Sequence, residues 1–439
     1  MMNAPGEELP RLHTPIPGPR SRELAERLGA VESRNITALG GAGPIFWAEA
    51  AGANVQDADG NVYIDLTAGF GVSAAGHGNP AVAGAVADQF RRLPHAMGDV
   101  HPADVKVTLL ERLAALAPGD LSVSILSANG SDAVESALKT AVMATGRPGI
   151  VAFHGGYHGL GYGALSVTSG ERFRAPFADQ LFDGVRFAPF PGAGTDGTDA
   201  SLDAVGGAIE VARSGPHPVG AVIVEPVQGR GGIVVPPPAF LPGLRQLCDA
   251  EDVLLIADEV YTGLGRTGRW FACQHWDVVP DLLVLGKSLA GGLPLSAVVG
   301  SPAAMDAWPP SAGEAIHTST FLGNPVSCAA ALTHLDEIEG RGLVERADRL
   351  GRRLGEALDT LVARYPAARS ARGLGLMRAL SVTGPEGTAA RLAAAALREG
   401  VILLPEGAAL AFTPPLTITE AQLDHTVDVV ATLLADVAS

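Results

Sequence analysis

The sequence predicts an α/β fold: a large domain with a mainly parallel sheet between helices, and a smaller α+β domain assembled from both termini. Three observations carry this reading. Short apolar runs alternate with amphipathic segments through the middle of the 439-residue chain. Several of those runs are apolar at successive positions, the pattern of strands covered on both faces. The two ends of the chain break the alternation, which separates them from the centre.

The elements follow in order. Residues 54–66 (NVQDADGNVYIDL) read as a hairpin turning at Asp59-Gly60. Strand candidates are Leu121–Leu126, Gly149–Phe153, Ala221–Val224, Val253–Ala257, Leu282–Leu285 and Ala297–Gly300. Between them Asp132–Thr145 and Pro242–Ala250 read as helices, while Pro189–Ala200 and Pro236-Pro237-Pro238 read as surface loops. After residue 329 the chain becomes helix-rich, with Ala-rich amphipathic segments. The expected division is residues 1–75 and 329–439 for the small domain and 76–328 for the large one.

Composition narrows the class. Hydrophobic residues make up 47% and charged residues 18%, enough apolar material for a large core. The charge balance, 31 − 47 = −16, lacks the positive field of a phosphate-backbone binder, so nucleic acid is not an expected partner. Cys248, Cys273 and Cys328 are odd in number and far apart, as buried thiols in a reducing compartment would be. The first twenty residues lack the apolar core of a secretory signal, and no run reaches the length of a membrane span. A soluble, cytoplasmic protein is expected. Only three lysines occur, Lys106, Lys139 and Lys287, against a strong arginine and alanine bias.

In open parallel sheets, ligands bind beyond the carboxyl ends of the strands. The first apolar run leads into Ser127-Ala128-Asn129-Gly130-Ser131 and a helix. Later runs end in Glu225-Pro226-Val227-Gln228-Gly229, in Asp258-Glu259-Val260-Tyr261, and in Gly286-Lys287-Ser288. Singly, each has an ordinary explanation as a helix cap, a solvated acid or a surface lysine. Together they place two acids, a lysine and a small-residue turn along one sheet edge.

Pyridoxal 5'-phosphate chemistry needs such a set. A lysine forms the Schiff base and shuttles a proton, and burial lowers its ordinary pKa of about 10.4 toward the working range. A carboxylate keeps the pyridine nitrogen protonated, and backbone N–H groups at a helix start bind the phosphate. Lys287, Asp258 and Gly130-Ser131 fill these roles in turn, with Lys287 and Asp258 the catalytic pair.

Seven segments then carry a family resemblance through nearly the whole chain. They are Gly76-His77-Gly78-Asn79-Pro80, Asn129 to Ala133, Tyr157-His158-Gly159, Glu225 to Gly229, Asp258 to Gly268, Lys287 with Gly291-Gly292-Leu293-Pro294, and Thr320 to Pro325. The chain resembles a class III (omega-type) pyridoxal-phosphate aminotransferase of fold type I. The resemblance implies that Tyr157 and Val260 pack on the two faces of the cofactor ring and that Tyr261 lies beside the ring hydroxyl. It implies that Glu225 orients the site and that Phe70 lines the substrate pocket. It further implies a homodimer in which Thr320 reaches the neighbouring subunit's phosphate.

Three positions depart from glutamate-using relatives. Leu160 stands where they carry an arginine after Tyr-His-Gly, Ala411 where they carry a second arginine, and Arg230 where they carry the glutamate that pairs with it. Leu160, Phe70, Arg230 and Ala411 are therefore the expected substrate determinants, in a pocket more apolar than usual. Arg230 is expected either to clamp a substrate carboxylate or merely to point to solvent or pair with a nearby acid. The leading expectation is transfer of an amino group between an amine or amino acid and an oxo acid, both small molecules. The alternatives are an amino-acid racemase or epimerase on the same fold and a cofactor-binding protein without catalysis. No metal is expected: His154 and His158 flank Gly155-Gly156, which favours a loop over a ligating helix face. No G-x-G-x-x-G follows the first strand of the sheet, so a nicotinamide site is not expected.

Overall fold

The computed structural model describes residues 6–40, 43–192 and 197–437. Part of the expected 189–200 loop, residues 193–196, and the first five residues of the N-terminal segment lie outside the described residues. The strands in chain order are β1 (Trp47–Ala51), β2 (Asn54–Asp57), β3 (Val62–Asp65), β4 (Val123–Ser127), β5 (Gly149–Phe153), β6 (Val185–Ala188), β7 (Val219–Val224), β8 (Leu254–Asp258), β9 (Leu282–Leu285) and β10 (Ser296–Gly300). They continue with β11 (Ala368–Leu374), β12 (Met377–Val382), β13 (Val401–Ile402), β14 (Leu404–Glu406) and β15 (Ala409–Phe412).

The central sheet has seven strands in the order β4-β10-β9-β8-β7-β5-β6. Strands β5 to β9 pair in parallel, and β10 runs antiparallel between β9 and β4. Every residue of β5, β7, β9 and β10 is buried, which is why these segments read as unbroken apolar runs. Alternate side chains serve opposite layers. Ile150 and Ala152 of β5 pack with Ala133 and Val134 of the Gly130–Thr145 helix, whereas Val151 and Phe153 pack with Phe240 and Leu244 of the Phe240–Ala250 helix. Strand β6 was not among the expected strands. It is an edge strand whose Arg186 faces solvent, so its sequence, VRFA, carries no continuous apolar signal.

The Gly130–Thr145 helix starts two residues before the expected Asp132. Asn129 caps it, its side chain accepting from Asp132 N at 3.1 Å. Gly146, at φ 65°, ends it in the left-handed conformation that glycine adopts without strain. The 54–66 hairpin forms as β2 and β3, and the Asp57 carboxylate accepts from Asp59 N and Asn61 N across the turn.

Both ends of the chain meet in one sheet, because β13 adds in parallel to β3 with Val401 opposite Ile64. A third sheet, β11-β12-β15-β14, is wholly antiparallel. It packs under the Leu343–Arg364 helix, whose Leu350, Leu354, Leu358 and Leu361 recur every three or four residues and are nearly fully buried. Each such leucine contributes about 1.5–3 kcal/mol of transfer free energy.

Candidate active site

The carboxyl ends of β7, β8 and β9 open, with the turn after β4, onto a cavity of about 450 Å³. Phe70, Gly130, Ser131, Tyr157, Leu160, Glu225, Arg230, Asp258, Val260, Tyr261 and Lys287 all line it. One wall is the start of the Gly130–Thr145 helix. The first-turn N–H groups there have no intrahelical acceptor, which makes the turn an anion site. Ser296 Oγ donates to Asn129 O at 2.6 Å and ties this turn to β10.

Glu225, just beyond β7, is a buried clasp. Its carboxylate accepts from Tyr157 N at 2.8 Å and from Gly229 N at 3.0 Å, fixing two loops at once. Burial pushes its pKa upward, against the nearby His158 charge. Asp258, the last residue of β8, accepts from Val260 N at 3.0 Å and lies 2.7 Å from His158 Nδ1. Burial disfavours charge on His158, yet the hydrogen bond and charge of Asp258 outweigh it, and the imidazole pKa is raised. The contact with Asp258 therefore favours the proton on the His158 ring, deep in the site.

Lys287 follows β9 with φ 44°, a strained conformation for a residue with a side chain. Burial lowers its pKa, while Asp258 and Glu225 oppose that shift and Arg230 reinforces it. Its Nζ lies 4.1 Å from the centroid of the Tyr261 ring. That ring is wedged between two glycines: a Cβ on Gly71 or Gly229 would come within 2.6 Å of it. Tyr261 Oη is 3.1 Å from Thr413 Oγ1. The Arg230 guanidinium lies 4.7 Å from the centre of the Tyr157 ring, whose edge meets Phe173. Phe70, 62% exposed, and Leu160, 50% exposed, stand on the solvent side.

Two expected site residues are not brought to this cavity. Thr320 lies in an exposed turn outside it. Ala411 is buried in β15 among Val227, Ile233, Met377 and Ala379, and does not line the substrate pocket as expected. Its short side chain points into that cluster. The wall there is formed instead by Leu404 and Glu406 of the neighbouring β14. Sequence reasoning also assigned no role to His158, although it sits beside Tyr157 in the motif. Glu406 carries no local signal, because only the β14-β15 pairing brings it to the cavity. Among the described residues, no three His, Cys, Asp or Glu side chains are grouped to hold a metal, and no helix is long and apolar enough to cross a membrane.

The donor set suits pyridoxal 5'-phosphate: a helix start for a phosphate, a buttressed carboxylate for a ring nitrogen, and an amine enclosed by both. Comparison with known proteins agrees. Residues 38–434 match the family model described as aminotransferase class-III. A 4-aminobutyrate aminotransferase of Mycobacterium tuberculosis is 38% identical, over 97% of this chain and 98% of its own. A putrescine aminotransferase of Pectobacterium atrosepticum is 36% identical over 89% of this chain and 82% of its own. The crystal structure of the Pseudomonas jessenii omega transaminase in complex with PMP superposes with a TM-score of 0.87 at 28% identity, covering 94% of this chain and 98% of that one. These findings support amino transfer over racemisation. The chain belongs to the class-III aminotransferases, pyridoxal-phosphate-dependent enzymes of fold type I that move an amino group between an amine or amino acid and an oxo acid.

Proposed function

We propose that Lys287 is the Schiff-base lysine, and that this enzyme pairs an apolar amine or amino acid with an oxo acid gripped by Arg230 rather than by the family's two glutamate-binding arginines. The observation that carries this reading is the cavity wall itself. Its 160 position is Leu160, position 411 is a core alanine, and Arg230 faces the space beside Lys287.

Pyridoxal 5'-phosphate, when bound, supplies an aldehyde for amine exchange and a ring that accepts electrons from the substrate carbon. The protein's part follows from its own groups. Gly130 and Ser131 N–H groups would bind the phosphate, and Asp258, backed by His158, would hold a proton at the ring nitrogen. Tyr157, Val260 and Tyr261, which line the cavity, would confine the cofactor ring there. Glu225 keeps the Tyr157 and Gly229 loops in register. Lys287, with its pKa lowered by burial, would take the proton from the substrate carbon and return it at the cofactor carbon on the far side of the nitrogen.

The same reading makes the active unit a cytoplasmic homodimer, with Thr320 reaching the neighbouring subunit's phosphate. Its exposure and its absence from the cavity of its own chain support that role. The small domain takes residues 1–75 and 329–439, as the β3–β13 pairing of the two ends supports.

The test is the Arg230→Ala variant assayed with an apolar amine donor and with glutamate. The KM for the oxo acid should rise by about 10–100-fold, the worth of one charge-assisted clamp. Efficient glutamate turnover that survives the substitution would refute the assignment.

A further inference from the structure

The cavity contains a second charge that the reaction chemistry does not use. Glu406 ends β14 and lines the same space as Arg230 and Lys287. It is half-buried, with Leu404 on the same wall, and its backbone carbonyl lies close to Gly232 in the loop that carries Arg230. Burial raises its carboxyl pKa, and the charges that oppose this are Arg230, then Lys287, then Arg172. Yet, among the described residues, Glu406 and Arg230 form no ion pair with each other. Arg230 instead lies over the Tyr157 ring. The two charges thus line one pocket without pairing with each other.

That arrangement has a chemical consequence. A substrate with one carboxylate satisfies Arg230 and leaves the rest of the wall to Leu404, Leu160 and Phe70. A substrate with a second carboxylate brings that charge toward Glu406 in a partly desolvated space, where like charges repel strongly. We propose that Glu406 is a specificity-determining residue: lining the same pocket as Arg230 without neutralising it by an ion pair, it selects monocarboxylic amino and oxo acids and excludes dicarboxylic ones. The inference rests on the reading of Arg230 as the carboxylate-binding group.

The experiment separates this claim from the reading of Arg230 as the carboxylate-binding group. Butyrate and glutarate are titrated into the holoenzyme, and their binding is read from the perturbed cofactor absorbance, which needs no turnover. In the native protein, butyrate should bind more tightly than glutarate. Glu406→Gln should shift the butyrate-to-glutarate preference toward glutarate by about tenfold, the effect of removing one like charge at this range. Glu406→Asp, which keeps the charge, should retain most of the native preference. An unchanged preference in Glu406→Gln, or an equal loss in Glu406→Asp, overturns the proposal. Arg230→Ala in the same titration tests the other reading: butyrate binding undiminished in Arg230→Ala, with the preference still shifting in Glu406→Gln, would fault the Arg230 assignment and leave the charge selection by Glu406 standing.

Discussion

Replacing His158 with phenylalanine isolates the buttress behind Asp258. The substitution keeps an aromatic ring in a site where the His158 side chain is 1% exposed, and removes the nitrogen that lies 2.7 Å from Asp258 Oδ2. What is lost is a charge-assisted hydrogen bond, worth about 1.5–3 kcal/mol, and at 1.4 kcal/mol per decade that is about 10–150-fold in kcat/KM. The loss should fall mainly on kcat at saturating cofactor, because on the proposed reading Asp258 would support the cofactor ring and not bind substrate. His158→Asn, whose amide can donate from near the Nδ1 position, should recover most of it. The same pair has a pH signature. The His158 pKa is raised in the folded protein, so its contribution to stability is fully present below the unfolded value of about 6.5 and is lost as pH rises through the folded value. The stability gap between native enzyme and His158→Phe should therefore narrow as pH rises through that window. Steady-state kinetics with saturating cofactor, with denaturation midpoints across pH, provide the assay. A phenylalanine variant with native kcat/KM would refute the reasoning.

Further outcomes follow from the same geometry. Lys287→Ala should lose at least about 10³-fold in turnover, as loss of a covalent and proton-transferring group does, while still retaining cofactor through the helix start and Asp258. Absorbance after gel filtration reads the retention, and near-native turnover would contradict the assignment. Leu354→Ala in the Leu343–Arg364 helix should cost about 2–5 kcal/mol, because the side chain is 1% exposed and its neighbours are themselves packed. Urea denaturation of the holoenzyme measures it. Thr320→Ala should weaken cofactor retention while leaving the fold intact, and in a mixed dimer with Lys287→Ala the defect should follow the subunit opposite the altered threonine.

The central sheet was legible because burial on both faces leaves no room for polar residues. Gly149–Phe153 and Leu282–Leu285 appear at the expected bounds for that reason. The cofactor side of the cavity was legible because β7, β8 and β9 deliver Glu225, Asp258 and Lys287 directly from their ends. The substrate side was not. Its wall comes from the β14-β15 pairing, where the alternation of side chains decides which residue faces in, and that register put Glu406 and Leu404 where Ala411 was expected. Edge strand β6 was missed because the exposed Arg186 interrupts its apolar run. His158 went unassigned because its partner, Asp258, lies one hundred residues away in sequence.

The most direct test of the account is a single half-reaction on purified holoenzyme: the loss of the cofactor's visible absorbance on adding alanine or an apolar amine, set against its loss on adding glutamate. With Leu160, Ala411 and Arg230 in place of the family's glutamate-binding set, alanine or the apolar amine should bleach the absorbance rapidly and glutamate slowly or not at all. Rapid bleaching by glutamate, with none by the apolar donors, would contradict it.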